Sequence, residues 1–137
     1  MKIRKVFRFE AAHFLPHVPE GHQCGRLHGH SYRVEIDVAL PLDSTTGWVM
    51  DFAKLSKLWR ENCEPLLDHQ TLNDIMDNPT AELLCMWIIG ALKAPFPLDR
   101  VAVWETADSC AILDPNCRVV KAPDLKKSDL RGPAREV

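Results

Sequence analysis

The sequence lacks the features that mark several classes of protein. No apolar run approaches the roughly 20 residues needed to cross a bilayer. The net charge of −2 gives no electrostatic reason to expect a nucleic acid partner. The N-terminal stretch 1–5 is charged, and no signal-peptide core follows it. We therefore expect a cytoplasmic protein with neither a membrane nor a nucleic acid as its partner.

The cysteines also lack the spacing of a disulfide or metal framework. There are five, an odd number, and no two stand in C-x-x-C spacing. Most of them are expected to be small buried hydrophobic residues. Cys24 is the exception, because it lies in a polar loop beside histidines.

The length and composition fit one catalytic domain. The chain has 137 residues, of which 46% are hydrophobic and 26% charged, as in ordinary globular proteins. From residue 121 onward the sequence becomes charged and proline-containing, with few large apolar residues. We interpret residues 1–120 as a single domain and residues 121–137 as a charged C-terminal tail.

The segment Cys24–His30 places a thiol and two imidazoles just before the longest alternating run in the sequence. From residue 32 to 40 the even positions are apolar and the odd ones mostly charged, which predicts a half-buried strand. The same parity places His28 and His30 on the apolar face, about 6.6 Å apart along the strand. Gly29 between them favours the close approach of another group.

A second predicted strand, residues 2–13, supplies a third histidine. Its odd positions are mostly apolar and end at His13. If the two strands pair as a hairpin across residues 14–27, three imidazoles converge at one end of the sheet. Three imidazoles with an open fourth position are typical of catalytic zinc. The alternative is two histidines at a strand start and one unrelated core histidine; the shared parity favours the metal site.

Two helices and two further strands complete the predicted fold. Asp51 caps the first helix, and Asn78 with Pro79 opens the second. Further strands are predicted at residues 101–106 and 109–113. This order predicts an α+β fold with a four-stranded antiparallel sheet and two helices on one face. The two open sheet edges make association into a larger barrel an expectation.

Asp68 and His69 form a candidate proton-transfer pair. A carboxylate can set the tautomer or charge of a neighbouring imidazole. A nearby imidazole or metal in turn promotes ionisation of a thiol such as Cys24. The sequence alone does not show that these residues meet, and most adjacent Asp-His pairs are ordinary surface residues.

Three other residues have a structural and a functional interpretation. Thr80 and Glu82 suit the first turn of a helix, where a carboxylate favours the helix dipole. Glu105 shares parity with the apolar positions of its strand, so it is either an exposed strand end or a buried carboxylate that needs donors.

Six motifs occur in one order that resembles the 6-pyruvoyl-tetrahydropterin synthase family. They are Phe9-Glu10-Ala11-Ala12-His13, Cys24-x-x-x-His28-Gly29-His30, Gly47-Trp48-Val49-Met50-Asp51-Phe52, Leu67-Asp68-His69, Asn78-Pro79-Thr80-Ala81-Glu82 and Trp104-Glu105-Thr106. The three residues between the cysteine and the first histidine are most similar to the 6-carboxy-5,6,7,8-tetrahydropterin synthase branch of queuosine and 7-deazaguanine biosynthesis. The resemblance covers residues 1 to about 114.

This resemblance implies the tunnelling fold, in which subunits join into a barrel with active sites at their interfaces. It implies that three residues bind Zn²⁺: His13, His28 and His30. It implies a proton-transfer set of Cys24, Asp68 and His69. It implies that Glu105 anchors the pterin and that three more residues line its pocket: Thr80, Glu82 and Thr106.

The implied substrate is 7,8-dihydroneopterin triphosphate, and the implied products are 6-carboxy-5,6,7,8-tetrahydropterin, acetaldehyde and triphosphate. Arg26 and the loop histidines are candidates for binding the triphosphate. Three alternatives remain open. They are the pyruvoyl-forming reaction on the same fold, a zinc-stabilised binding module without turnover, and an unrelated three-histidine hydrolase.

Overall fold

The computed structural model describes residues 1–117. The predicted tail, residues 121–137, and the last residues of the predicted domain lie outside this range. The strands are β1 (Lys2–His13), β2 (His28–Ala39), β3 (Gln70–Thr71), β4 (Arg100–Trp104) and β5 (Cys110–Leu113). The helices are α1 (Phe52–Asn62), α2 (Glu64–Leu67) and α3 (Ala81–Leu92).

The β1–β2 hairpin is the longest pairing of the sheet. Its antiparallel register runs from Lys2 opposite Ala39 to His13 opposite His28, which confirms the predicted hairpin across residues 14–27. Close packing explains the glycine at position 29, because a Cβ there would lie 3.2 Å from the carbonyl oxygen of Ala11. The register brings the histidines of both strands to one end of the sheet.

The sheet has the order β3-β1-β2-β4-β5, and the helices cover one face of it. The predicted alternation is confirmed on this face. Its buried side chains include Phe7, Phe9, Tyr32, Val34, Ile36 and Val38. The ring of Phe7 stacks on Trp59 of α1 with centroids 4.6 Å apart. Among the described residues, no helix is both long enough and apolar enough to span a bilayer.

The prediction of four strands and two helices is wrong in number. The described residues contain a fifth strand, β3, which has two residues and pairs in parallel with the end of β1. They also contain a third α-helix, α2, of only four residues. Both elements are too short to produce a hydrophobic period in the sequence. The α+β class and the mostly antiparallel sheet are as predicted.

The start of α3 also differs from the prediction. Asp51 caps α1 as expected, accepting from Ala53 N at 2.8 Å. The cap of α3 is Thr80 rather than Asn78, and its hydroxyl accepts from Leu83 N at 3.1 Å. Both residue types are good caps. The difference is that Pro79 precedes the helix instead of occupying its first position.

The second face of the sheet is less exposed than the alternation predicts. Glu35 and Asp37, at odd positions of β2, are only 5% and 3% exposed. Arginines from β1, β2 and β4 cover both carboxylates: Arg4, Arg33 and Arg100.

Candidate active site

Three imidazoles converge at the closed end of the β1–β2 hairpin. His13, His28 and His30 each offer one ring nitrogen, and these atoms lie within 4.8 Å of one another. The Nε2 atoms of His13 and His28 are 3.1 Å apart. The rings meet edge to face, with centroids 4.6 to 5.1 Å apart. The cluster is therefore one in which all three side chains could bind a single metal ion.

Backbone carbonyls fix the tautomers of two of these rings. His13 Nδ1 lies 2.8 Å from the carbonyl oxygen of Pro79, and His28 Nδ1 lies 2.6 Å from that of Arg26. A carbonyl only accepts, so both Nδ1 atoms must carry the hydrogen. The Nε2 lone pairs are then free for the interior of the cluster, as in many metal-binding histidines.

The third ring gives independent support for a metal. Nε2 of His30 is buried and has no hydrogen-bond partner among the described residues. A buried polar atom without a partner is costly unless a ligand satisfies it. Three imidazoles are a donor set that suits zinc and related transition metals. The residues present therefore fit a metal ion.

The electrostatics of the cluster favour the metal-binding form of the histidines. Burial lowers the pKa of His13, and His28 and His30 lower it further, against the hydrogen bond to Pro79. Burial and the neighbouring His28 also lower the pKa of His30. Both rings are therefore neutral at neutral pH, which is the form that coordinates a metal.

The pair Asp68 and His69 lies beside the hairpin end. Asp68 Oδ2 is 2.9 Å from Nδ1 of His69, and Asp68 Oδ1 accepts from the backbone N–H of Glu10 at 3.0 Å. The hydrogen bonds from Glu10 and His69 hold the pKa of Asp68 below its usual value. The His69 side chain is 78% exposed. The backbone φ of His69 is 57°, which turns the chain at this point. An ionised Asp68 thus faces an accessible imidazole.

Two cavities meet at His30 and share Gly29, His30 and Ser31. One, of about 630 Å³, also contains Glu10, His69 and Thr71 in its wall. The other, of about 510 Å³, is completed by Arg33, Trp104, Glu105, Thr106 and Ala107. His30 therefore lies between the Asp68–His69 pair and Glu105.

Glu105 is a half-buried carboxylate whose donors are missing from the described chain. No hydrogen bond or ion pair from residues 1–117 reaches its side chain. Burial raises its pKa above the usual value, Glu82 raises it further, and His28 acts in the opposite direction. A buried carboxylate with no protein donor is suited to accept hydrogen bonds from a ligand.

The structure does not unite the whole predicted site within one chain. Cys24 is half-buried in a 3₁₀ turn, Gln23–Gly25, and no described contact links its thiol to Asp68 or His69. Thr106 lines the cavity of Glu105, where its hydroxyl donates to Asp108 at 2.9 Å. Thr80 and Glu82 line neither cavity.

Three groups at the site were not predicted from the sequence: the side chains of Ser31 and Glu10, and the backbone carbonyl of Pro79. Ser31 donates to Glu10 at 2.7 Å across the hairpin, in the wall of the larger cavity. The hairpin register implies this pair, since His13 opposite His28 places Glu10 opposite Ser31. The Pro79 carbonyl, by contrast, reaches His13 from 66 residues away, and no local signal predicts it.

Comparison with known proteins agrees with this fold. The family model of 6-pyruvoyl tetrahydropterin synthase matches residues 2–116. The chain is 45% identical to 6-carboxy-5,6,7,8-tetrahydropterin synthase of Synechocystis, over 80% of this chain and 89% of that protein. It is 38% identical to dihydroneopterin monophosphate aldolase of Pyrococcus furiosus, over 77% and 91%. The chain belongs to the 6-pyruvoyl tetrahydropterin synthase family.

A solved structure shows the same fold. The 6-pyruvoyl tetrahydropterin synthase of Caenorhabditis elegans superposes with a TM-score of 0.74, covering 83% of this chain and 94% of that one, at 23% identity. The resemblance inferred from the six motifs is thus confirmed, as is the prediction of an enzyme of the lyase class. The roles of the individual site residues stay predictions.

Proposed function

We propose that this enzyme converts 7,8-dihydroneopterin triphosphate and water into 6-carboxy-5,6,7,8-tetrahydropterin, acetaldehyde and triphosphate, for queuosine and 7-deazaguanine biosynthesis. The observation that carries the proposal is the position of His30 between the Asp68–His69 pair and Glu105. The 45% identical relative, whose name is that of this activity, supports it.

We propose that His13, His28 and His30 hold Zn²⁺. A bound zinc ion supplies Lewis-acid stabilisation of negative charge on the substrate's side-chain oxygens. The protein's own contribution is to direct the Nε2 atoms of His13 and His28 into the cluster, through the carbonyls of Pro79 and Arg26. Burial keeps His13 and His30 neutral, as their lowered pKa values require.

Glu105 is proposed to orient the pterin ring. An ionised carboxylate can accept two parallel hydrogen bonds from the 2-amino group and the adjacent ring N–H of a pterin. The lack of other donors to Glu105 in the described chain leaves it free for this role. Thr106 in the same cavity is proposed to line the pterin pocket. Thr80 and Glu82 lie outside both cavities at the start of α3 and are proposed to contact the pterin from there, since Glu82 is close enough to raise the pKa of Glu105.

Cys24, Asp68 and His69 are proposed to move protons. With Nδ1 of His69 on Asp68, the exposed Nε2 can release and take up a proton, and the Asp68 carboxylate stabilises the imidazolium. Cys24, as a thiolate, suits abstraction of a proton from carbon. Since no described contact joins Cys24 to the pair, we propose a homo-oligomer in which Cys24 of one subunit completes the site of another.

A product assay tests this function. The zinc-loaded protein is incubated with 7,8-dihydroneopterin triphosphate, and the pterin and aldehyde are identified by mass. We expect 6-carboxy-5,6,7,8-tetrahydropterin with acetaldehyde. Cys24→Ala should reduce turnover by at least about 100-fold while it retains zinc. Cys117→Ala is the matched control, because it removes an exposed cysteine outside both cavities.

Other outcomes identify the competing functions. Pyruvoyl-tetrahydropterin without acetaldehyde would assign the pyruvoyl-forming reaction. Turnover of dihydroneopterin monophosphate alone would assign the activity named for the Pyrococcus relative. No turnover, with zinc bound and no effect of Cys24→Ala on any property, would favour the binding module. Location in the cytoplasm stays a prediction.

A further inference from the structure

Thr80 is held at the start of α3 by all three of its polar groups. Its backbone N–H donates to the carbonyl of Asn78 at 2.8 Å, and its own carbonyl accepts from Leu84 N at 2.9 Å. Its hydroxyl caps the helix by accepting from Leu83 N at 3.1 Å. The residue therefore has little freedom to rotate relative to α3.

These contacts also fix the peptide that precedes Thr80. Pro79 is buried at the centre of the three-residue turn that the Asn78–Thr80 hydrogen bond closes. The proline ring fixes φ, and Thr80 fixes the plane of the following peptide bond. The direction of the Pro79 carbonyl is therefore set by the start of α3.

That carbonyl decides which nitrogen of His13 carries the hydrogen. It lies 2.8 Å from Nδ1, while the Tyr32 hydroxyl lies 3.2 Å from the same atom. A hydroxyl can donate or accept, so it fits either tautomer, but a carbonyl only accepts. The Pro79 carbonyl thus directs the lone pair of Nε2 toward His28, which is 3.1 Å away.

We infer that Thr80 and Pro79 are positioning residues of the three-histidine metal site. By capping α3, Thr80 holds the Pro79 carbonyl on His13 and so presets Nε2 of His13 for a divalent metal ion. This inference rests on the metal site of the proposed function. It gives the Asn78–Glu82 motif a role in metal binding in addition to any contact with a pterin.

Metal affinity without substrate tests this role. We compare wild type with Thr80→Ala and Thr80→Ser by Zn²⁺ competition against a chromogenic chelator, and by the visible spectrum of the Co²⁺ form. Loss of a hydrogen bond that orients a metal-binding histidine typically weakens metal binding by 10- to 100-fold. For Thr80→Ala we expect a loss of about 10-fold, because the effect passes through the backbone. Thr80→Ser retains the cap and should restore wild-type affinity and spectrum.

Asp51→Ala is the matched control. It removes the equivalent cap of α1, whose side chain accepts from Ala53 N, and no described contact joins Asp51 to the histidines. It should lower the midpoint of thermal unfolding about as much as Thr80→Ala does. Its Zn²⁺ affinity should stay within about twofold of wild type. Equal Zn²⁺ affinity of the Asp51 and Thr80 alanine variants would overturn the inference.

Two further measurements separate failure of this inference from failure of the proposed metal site. If Thr80→Ala does not fold, Pro79→Ala keeps the carbonyl but frees φ, and we expect a smaller affinity loss of about threefold. Unchanged affinity there would then overturn the inference. Wild-type protein that binds no Zn²⁺ would refute the metal site of the proposed function itself.

Discussion

Strand β2 carries two polar clusters on opposite faces, and they differ in whether their hydrogen-bond acceptors are paired. The histidine cluster, His13, His28 and His30, lies at the start of β2 on the face that the helices cover. The acid–arginine cluster lies further along on the other face, around Glu35 and Asp37. Both clusters bury groups that are costly to remove from water.

In the acid–arginine cluster every carboxylate oxygen has a partner. Glu35 accepts from Arg33 at 2.6 Å, from Arg100 at 2.9 Å and from Trp104 at 3.0 Å. Arg4 binds Asp37 through two nitrogens, at 2.7 and 3.0 Å. Burial alone would raise the pKa of both carboxyls, but the arginines outweigh it and hold both below their usual values.

In the histidine cluster the pairing is incomplete. His30 Nε2 has no partner among the described residues, and the lone pairs of His13 and His28 Nε2 face each other at 3.1 Å. Burial of polar groups therefore does not by itself mark a functional site. A cluster whose acceptor atoms are all paired stabilises the fold, even though Nε of Arg33 within it is buried without a partner among the described residues. A cluster with converging, unpaired acceptor atoms is suited to bind a ligand.

Removal of His30 should have the largest effect on metal binding. We expect His30→Ala to lower Zn²⁺ affinity by at least about 1,000-fold, because one of three ligands is lost. The free energy of unfolding of the metal-free protein should change by less than about 1 kcal/mol, since the lost packing is offset by removal of an unpaired polar atom. Zn²⁺ titration and urea unfolding in a chelator measure both. A large loss of stability in metal-free His30→Ala would show that the histidine cluster also stabilises the fold.

Removal of Glu35 should have the opposite pattern. We expect Glu35→Ala to lower the free energy of unfolding by roughly 2 kcal/mol, less than for a fully buried pair because Arg4 is half exposed. Zn²⁺ affinity should be unchanged. The control is Glu61→Ala, which breaks an exposed pair with Lys57 and should cost less than about 1 kcal/mol. Urea unfolding measures all three proteins, and weaker Zn²⁺ binding by Glu35→Ala would show that the clusters are coupled.

The sequence was sufficient to predict the histidine cluster because its determinants are local. Alternation in β1 and β2 gave the face of each histidine, and one hairpin brought them together. The cap of α1 was predicted for the same reason, because Asp51 accepts from a residue two positions further along the chain. The choice of Thr80 over Asn78 as the cap of α3 was not predicted, because both residue types are good caps. The contact of Pro79 with His13 could not be predicted either, because it joins residues 66 apart.

The acid–arginine cluster was missed because it depends on three strands at once. Charged odd positions in β2 predict an exposed face unless their partners are known. The partners of Glu35 and Asp37 come from β1 and β4, which only the sheet order places beside them. The relation of Cys24 to Asp68 and His69 was likewise not predictable, because no local pattern links residues so far apart in the sequence, and no described contact joins them.

The two clusters should respond to acid in different pH ranges. In the acid–arginine cluster, folding lowers the pKa values of Glu35 and Asp37. The stability that these carboxylates contribute is therefore complete above their unfolded-state pKa values near 4, and it is lost as pH falls through their folded-state pKa values. Folding also lowers the pKa of His13 and His30, so metal-free protein should lose stability as pH falls below about 6.5. Urea midpoints from pH 8 to 3, in a chelator, should show two declines. His30→Ala should weaken the upper one, and a single decline near pH 4 would contradict the role of burial at the histidines.

The smallest effect is expected at Tyr32, where the histidine cluster meets the core. Its hydroxyl lies 3.2 Å from Nδ1 of His13, but the Pro79 carbonyl already accepts the Nδ1 hydrogen at 2.8 Å. Tyr32→Phe keeps the ring that stacks on Phe9, so stability should change by less than about 1 kcal/mol. Zn²⁺ affinity, measured by chelator competition, should fall by no more than about threefold. A loss of tenfold or more would show that Tyr32, rather than the Pro79 carbonyl, orients His13.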